Sequence, residues 1–492
     1  MKVPILTLIT FTPILGILCL LFIPKTKEQL IRIIATVFSA IPLVLCILLM
    51  FAYDYSNGNM QFVERVTWIK AFNIHYFLGI DGISLPMIAL TTLLSFLACI
   101  ASYKIKGRQK EYFILYLLLV TGMIGTFLAL DLFLFYVFWE VVLVPMYFLI
   151  GIWGGPRKEY AAMKFFLYTL AGSVFMLLGF LALYFTSDPH TFDMLELARG
   201  SGRFVLGFQQ VVFIAIFLGF AIKVPIFPFH TWLPDAHVEA PTPISVILAG
   251  VLLKMGCYGF FRISYPILPD AAQWFSYPLA ILGVVNIVYG AFVALSQVDF
   301  KKMVAYSSIS HMGFVLLGLA SMTSTGINGA LMQMFNHGVI TGGMFLLVGV
   351  LYDRTHTRDL KNFGGLGAQV PVYGGFLILF TMGSLGLPGL SGFVGEFMAL
   401  LGTFPVFRVV TILAVMGIVV AAAYHLKMLQ RVLLGPLNQR WKDMKDISVS
   451  EIITLVPLMI LVVLIGIYPM ILLDIQVPAI TELLAKIKGL LL

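Results

Sequence analysis

Apolar residues run along this chain in blocks of about 18 to 25 residues, divided by short polar connections. A helix of that length crosses about 30 Å of hydrocarbon. The pattern predicts an all-α polytopic membrane protein with about fourteen transmembrane helices. They fall near 3–23, 31–52, 83–102, 112–130, 132–152, 161–185, 208–230, 243–265, 272–295, 303–321, 327–351, 371–400, 405–430 and 452–473. Only the surroundings of Asp131 divide the fourth from the fifth.

Two blocks are interrupted. In FAIKVPIFPFHTWLPDA (220–236), Pro225 cannot donate to the carbonyl of Ala221, and Pro228 leaves that of Val224 free. In SLGLPGLSGFVGEF (384–397), Pro388 frees the carbonyl of Ser384, while Gly386, Gly389 and Gly392 loosen the turn. Each interrupted block carries one ionisable residue at its break, Lys223 and Glu396. Broken helices in corresponding positions of two halves mark transporters built from inverted repeats. The chain then divides into three N-terminal helices (1–110), a five-helix repeat broken near 223–228 (111–265), a second broken near 386–392 (266–434), and a last helix with a short tail (435–492). Ordinary proline kinks are the plainer alternative, but they leave the charge beside each break unexplained.

Composition agrees with a membrane location. The chain is 60% hydrophobic and 11% charged, against about 25% charged in soluble domains. About twenty Lys and Arg residues fall in alternate connections beginning with 24–30, and about nine on the opposite side. The positive-inside rule therefore places both termini outside. The net charge of +8 belongs to flanks facing anionic lipid and calls for no nucleic acid. The first block lacks a small-residue cleavage site and reads as a retained helix. Cys19, Cys46, Cys99 and Cys257 are scattered without CxxC spacing, which argues against disulfide, haem or iron–sulfur ligation. No phosphate-binding glycine motif or metal-ligand spacing occurs, so no cofactor and no metal is expected on this chain.

Ionisable residues inside the apolar blocks carry the chemistry. One unpaired charge at a helix centre costs roughly 2.5–3.5 kcal/mol, so four cost on the order of 10 kcal/mol. Glu140 lies mid-span and reads as a proton-binding carboxylate; a static ion pair is the alternative. Lys223 is its natural partner. Burial favours a neutral amine and a nearby carboxylate favours the ammonium, so a pair that can separate has two protonation states of comparable energy. Lys254 is deeper and has no acid within one helical turn. His311 and His337 lie in successive spans and exchange protons near neutral pH. With Ser307, Ser308, Ser310 and Asn336 they would organise water between Lys254 and Glu396. His425 has the same standing with less support. His230 and His237 are expected at the cytoplasmic surface, within HTWLPDAHVEAPTP. Glu396 ends the series, and a helix-end carboxylate is its plainer reading.

At these residues a resemblance becomes specific. FWEVVLVPMYFLIGIWGG, KVPIFPFHTWLPDAHVEAPTPISVILAGVLLKMGCYGFFRI, DFKKMVAYSSISHMGF and SLGLPGLSGFVGEF resemble the proton-translocating antiporter-like subunits of respiratory complex I, the NADH:quinone oxidoreductase. Related L, N and sodium/proton antiporter subunits typically carry lysine where this chain has Glu396, which favours the M (chain 4) branch. The short PAITELLAKIKGLLL tail leaves no room for the long lateral helix of the L branch. The resemblance implies a fourteen-helix fold with two inverted repeats, a buried pair at Glu140 and Lys223, a central lysine at Lys254 and a terminal carboxylate at Glu396. It further implies proton translocation coupled to quinone reduction by other subunits, which would hold NADH, flavin, iron–sulfur clusters and quinone. Expected partners are neighbouring antiporter-like subunits on both sides, within a bacterial inner membrane. A cation/proton antiporter without a redox partner is the alternative.

Overall fold

Nearly every apolar block is a helix because a backbone crossing lipid must satisfy its own hydrogen bonds. The structure, a computed structural model, describes residues 4–487. Among them, 13 helices are long and apolar enough to cross a membrane, from Ile5–Phe22 to Val449–Ile467. A fourteenth crossing is made of two half-helices, Pro371–Leu385 and Ser391–Thr403. The broken crossing is the fourth in each group of five, counting from Gln109–Leu128 and from Ser276–Ser296.

The helices differ in what surrounds them. Thr242–Ile267, Phe300–Ser321 and Ser324–Thr355 are enclosed by protein along almost their whole length. Peripheral helices present apolar side chains outward, such as Phe51, Val409 and Met416. Polar groups collect at helix ends on the basic face: Lys104 and Arg354 both bind Glu451, at 2.6 and 2.7 Å. Thr242–Ile267 is irregular, with wide π turns at Leu248–Leu252 and Phe260–Ser264. Lys254 lies between them.

Three features depart from the sequence expectation. The block taken as one span over 208–230 is helical only to Lys223. The chain turns through 224–231 and resumes as the half-helix Trp232–Glu239, which is packed into the protein. His230 and His237 are therefore buried, not surface residues. This half-helix shows only its acids to the basic face, where Asp235 meets Lys164 at 2.7 Å and Glu239 meets Arg157 at 3.6 Å.

The fold also includes an antiparallel hairpin, Gln61–Ile69 with Ile74–Ile80. Asn73, with φ of 52°, sits in its turn, and β-branched and aromatic residues fill VERVTWI as strands favour. Glu64 on this hairpin accepts the N–H groups of Leu6 and Thr7 at 2.8 and 3.1 Å. It thereby supplies the cap that the first helix lacks, since Pro4 before it offers no side-chain acceptor. Third, the segment expected as a short tail holds an 18-residue helix, Met470–Ile487, buried along Leu472, Ile475, Ala479 and Leu483. The last part of that expected tail, 488–492, lies outside the described residues. This helix packs beside Gly58 of the loop leading into the hairpin, so the hairpin touches both ends of the described chain. Both ends share one face, opposite the basic one.

Candidate functional site

The first break is built from proline geometry and braced from outside. Pro225 leaves the Ala221 carbonyl without its usual donor, and the N–H of Ile226 takes it instead at 2.8 Å. The indole of Trp232 donates to the Ile222 carbonyl at 2.9 Å. Asn286, from Ser276–Ser296, accepts the N–H of Phe227 at 2.8 Å and donates to the Pro225 carbonyl at 3.2 Å. Unwound backbone is thus satisfied by protein, as membrane depth requires. Asn336 serves the second break, donating to the Ser391 carbonyl at 2.7 Å. There Gly386 has φ of 81° and a Cβ would stand 3.3 Å from a Glu396 oxygen, so glycine suits both the turn and the carboxylate.

These breaks end or begin helices at charged side chains. Lys223 is the last residue of Leu206–Lys223 and is buried. Its ammonium lies 4.9 Å from the Trp139 ring centroid, a cation–π position. Glu140, one residue on, makes no direct ion pair with it: one Glu140 oxygen is buried without a partner. Glu140 shares a helix stripe with Val144 and Phe148, both exposed on the outer surface of the chain. The two charges stand near each other in an open arrangement.

Lys223 also faces Lys254. A Cβ at Gly256 would lie 3.1 Å from the Lys223 Cβ and 3.0 Å from the Phe220 carbonyl, so glycine lets the two helices meet there. Lys254 is fully buried. Its Nζ donates to the Ala249 carbonyl at 2.5 Å, within the wide turn, and to Nδ1 of His337 at 2.6 Å. Nε2 of His337 has no partner. The rings of His337 and His311 are 5.7 Å apart between centroids, a gap that a single bridging water spans. His311 Nδ1 then meets Glu396 Oε1 at 2.6 Å. The Ser384 hydroxyl donates to His311 Nε2 at 3.1 Å, and the Gln333 amide donates to Glu396 at 3.1 Å. His425 lies 6.3 Å from His311 between ring centroids, with Nδ1 2.9 Å from the Ala421 carbonyl.

Lys254, His337, His311 and Glu396 therefore form one buried line drawn from four helices. Several details differ from expectation. Ser307 and Ser308 bond the Val304 carbonyl and Ser310 that of Ile287, so these hydroxyls do not order the space between the histidines. Ser384 and Gln333 were not foreseen, since a lone serine or glutamine in an apolar run carries no spacing signal. His237 was misplaced: it stacks on Phe345 at 4.6 Å with both ring nitrogens unpartnered. Lys301 was also missed; it is buried and donates to Ala240, just past the C-terminus of the half-helix, at 2.5 Å. A cavity of about 400 Å³ opens beside them on the basic face, lined by Glu239, Lys301, Arg358 and Lys104. Among the described residues no group of three or more His, Cys, Asp or Glu side chains is placed to hold a metal ion.

Comparison with known proteins adds a lineage to this geometry. Residues 129–421 match the family described as "NADH:quinone oxidoreductase/Mrp antiporter, TM", and 6–130 match "NADH-ubiquinone oxidoreductase chain 4, amino terminus". The chain is 43% identical to NADH-quinone oxidoreductase subunit M of Rickettsia bellii, covering 99% of each. It is also 43% identical to the subunit of that name in Rhodobacter capsulatus, covering 97% of this chain and 96% of the relative. Among solved structures, a chain of respiratory complex I from Thermus thermophilus matches with a TM-score of 0.89 at 30% identity, covering 97% of this chain and 99% of that one. A chain of the Mrp complex from Dietzia sp. matches with a TM-score of 0.89 at 20% identity over 100% of both, a likeness of fold.

Proposed function

The chain belongs to the NADH:quinone oxidoreductase/Mrp antiporter family of membrane subunits, and on that premise we propose that it is the subunit M of a respiratory NADH:quinone oxidoreductase and moves protons across the membrane. Its relatives carry that subunit name along their whole length. Redox chemistry belongs to other subunits, which hold NADH, flavin, iron–sulfur clusters and quinone. Neighbouring antiporter-like subunits flank this chain in the membrane plane. The basic face is cytoplasmic and the hairpin face is outside, following the charge asymmetry of the connections. The two five-helix groups are inverted repeats, each with its broken helix as the mobile element.

The observation that carries this reading is the buried line from Lys254 through His337 and His311 to Glu396. Every member exchanges protons, and each touches the next or lies one water away. Glu140 and Lys223 form the other end. Their open arrangement matters because a closed ion pair would be structural, whereas a pair that opens and closes changes which neighbour holds the proton.

The test uses the assembled complex in sealed vesicles. Lys254→Met removes the amine and keeps most of the volume. NADH-driven proton pumping per assembled complex is expected to fall severely. Pumping at the wild-type level would overturn the assignment.

The antiporter without a redox partner keeps some support from the fold likeness to the Mrp complex. Glutamate at position 396 speaks against it. Purification in mild detergent separates the two: iron–sulfur and quinone-site subunits co-purify under the first reading, and only cation-antiporter subunits under the second.

A further inference from the structure

Beyond the Lys254–Glu396 line, the enclosed helix Thr242–Ile267 carries a second polar face. Lys254, Tyr258 and Arg262 follow at intervals of four residues and so stand one above another. They lead about 12 Å along the helix from the buried lysine toward the hairpin face. At that face lies a cavity of about 1190 Å³. Its lining includes Asp81, Arg262, Asp270 and Glu482, together with the exposed Arg199 and Arg203, so it is open to solvent.

Between lysine and cavity the path is shut by three side chains. Arg262 donates to Asp81 at 2.6 Å, with both residues buried. Its Nε donates to the Tyr258 hydroxyl at 3.0 Å. That hydroxyl spends its own proton on the Phe127 carbonyl at 2.9 Å. The Tyr258 ring packs edge-on against Phe127 at 5.2 Å. A tyrosine bonded in this way blocks a hydrogen-bonded wire, because its one proton points into a backbone carbonyl and an arginine occupies its acceptor side. Arg262 lies in the second wide turn of the helix, Phe260–Ser264. Such turns recur at functional sites and shift by one residue more easily than regular helix.

We propose that Asp81, Arg262 and Tyr258 form a gate that separates Lys254 from the solvent-filled cavity on the hairpin face, and that its opening gives this chain a proton outlet distinct from Glu396. Closed, the clamp holds the carboxylate, guanidinium and hydroxyl against one another. Opened by a shift in the wide turn, it lets cavity water reach Tyr258 and the amine beyond. The three are positioning residues: they control access to Lys254 and do not carry the proton. The inference rests on Lys254 being a proton carrier.

The test measures the collapse of a pH gradient across vesicles holding the complete complex, during NADH-driven turnover. Asp81→Asn suits the purpose, since Asp81 also accepts the N–H groups of Ile83 and Ser84 at 3.0 Å each and asparagine keeps that capping role. Tyr258→Phe is the second variant, changing one hydroxyl and no packing volume. Both are expected to assemble, to oxidise NADH, and to lose the gradient roughly tenfold faster than wild type, equivalent to about 1.4 kcal/mol of barrier. Adding Lys254→Met to either is expected to restore tightness. A purely structural clamp would lower the amount of assembled complex and leave the vesicles tight. Wild-type tightness in both variants, or a leak that persists without the lysine, overturns the gate. If Lys254→Met alone pumps normally, the proton-carrier assignment fails first, and the gate with it.

Discussion

Glu396 is held by two donors from two helices, His311 and Gln333, both on its Oε1. An amide at this position cannot release a proton, so Glu396→Gln is expected to block pumping in assembled complex. Glu396→Asp keeps a titrating group but draws it back by one methylene, stretching both contacts, and is expected to pump at a reduced rate. Glu396→Lys reverses the charge beside His311, yet lysine also titrates, so it is expected to retain part of the activity. The measurement is proton uptake normalised to assembled complex for the three variants. Wild-type pumping in the glutamine variant would remove Glu396 from the path. Glu140 sits differently, half-exposed on the chain's outer surface with one oxygen unpartnered. Glu140→Gln is expected to assemble and to lose most coupled turnover. Near-normal donor-dependent proton uptake in mutant membranes would show the carboxylate to be structural.

The line of titrating residues was only partly legible in the sequence. Lys223, Lys254, Glu140 and Glu396 announce themselves because charge in an apolar run is costly and rare. Which residue touches which is hidden, since His311 and Glu396 are 85 positions apart and their contact is made by helix packing. His237 was misread for a local reason. Prolines, acids and threonine crowd around it, the composition of a loop, and only the turn at 224–231 folds that segment back into the protein.

At the scale of elements, the breaks were visible in Pro225, Pro228 and Pro388, but the groups that hold them were not. Asn286 and Asn336 lie in long helices remote in sequence from the turns they brace. Asn286 alone satisfies one backbone donor and one backbone acceptor. Removing a partner from a buried polar group costs about 1–3 kcal/mol for each group left unsatisfied. Asn286→Ala is therefore expected to lower the thermal stability of the purified complex and to slow pumping more than electron transfer. A melting profile and pumping ratio unchanged from wild type would show that the turn holds itself. The hairpin was overlooked because its strands are short and lie between two strongly apolar helices that dominate any hydropathy reading. The 470–487 helix was missed because it is amphipathic, with too little apolar length to stand out as a span.

For the whole molecule, charge and geometry converge on one orientation. Hairpin, C-terminal helix and the 186–206 connection share a face with few basic residues, whereas Lys104, Arg354, Arg358 and Lys442 mark the other. The large cavity opens on the first face and the smaller one beside His237 opens on the second. A proton entering from the basic side and leaving on the hairpin side travels with the direction that builds a gradient, so orientation decides which cavity is inlet and which is outlet. Ser56 and Lys442 are exposed on opposite faces. The native cysteines lie within apolar helices, where an aqueous thiol reagent does not reach. Ser56→Cys is expected to react in intact cells with a membrane-impermeant maleimide, and Lys442→Cys only after the membrane is opened. The reverse pattern would invert the assignment of the cavities and require that protons enter past Arg262 and Asp81.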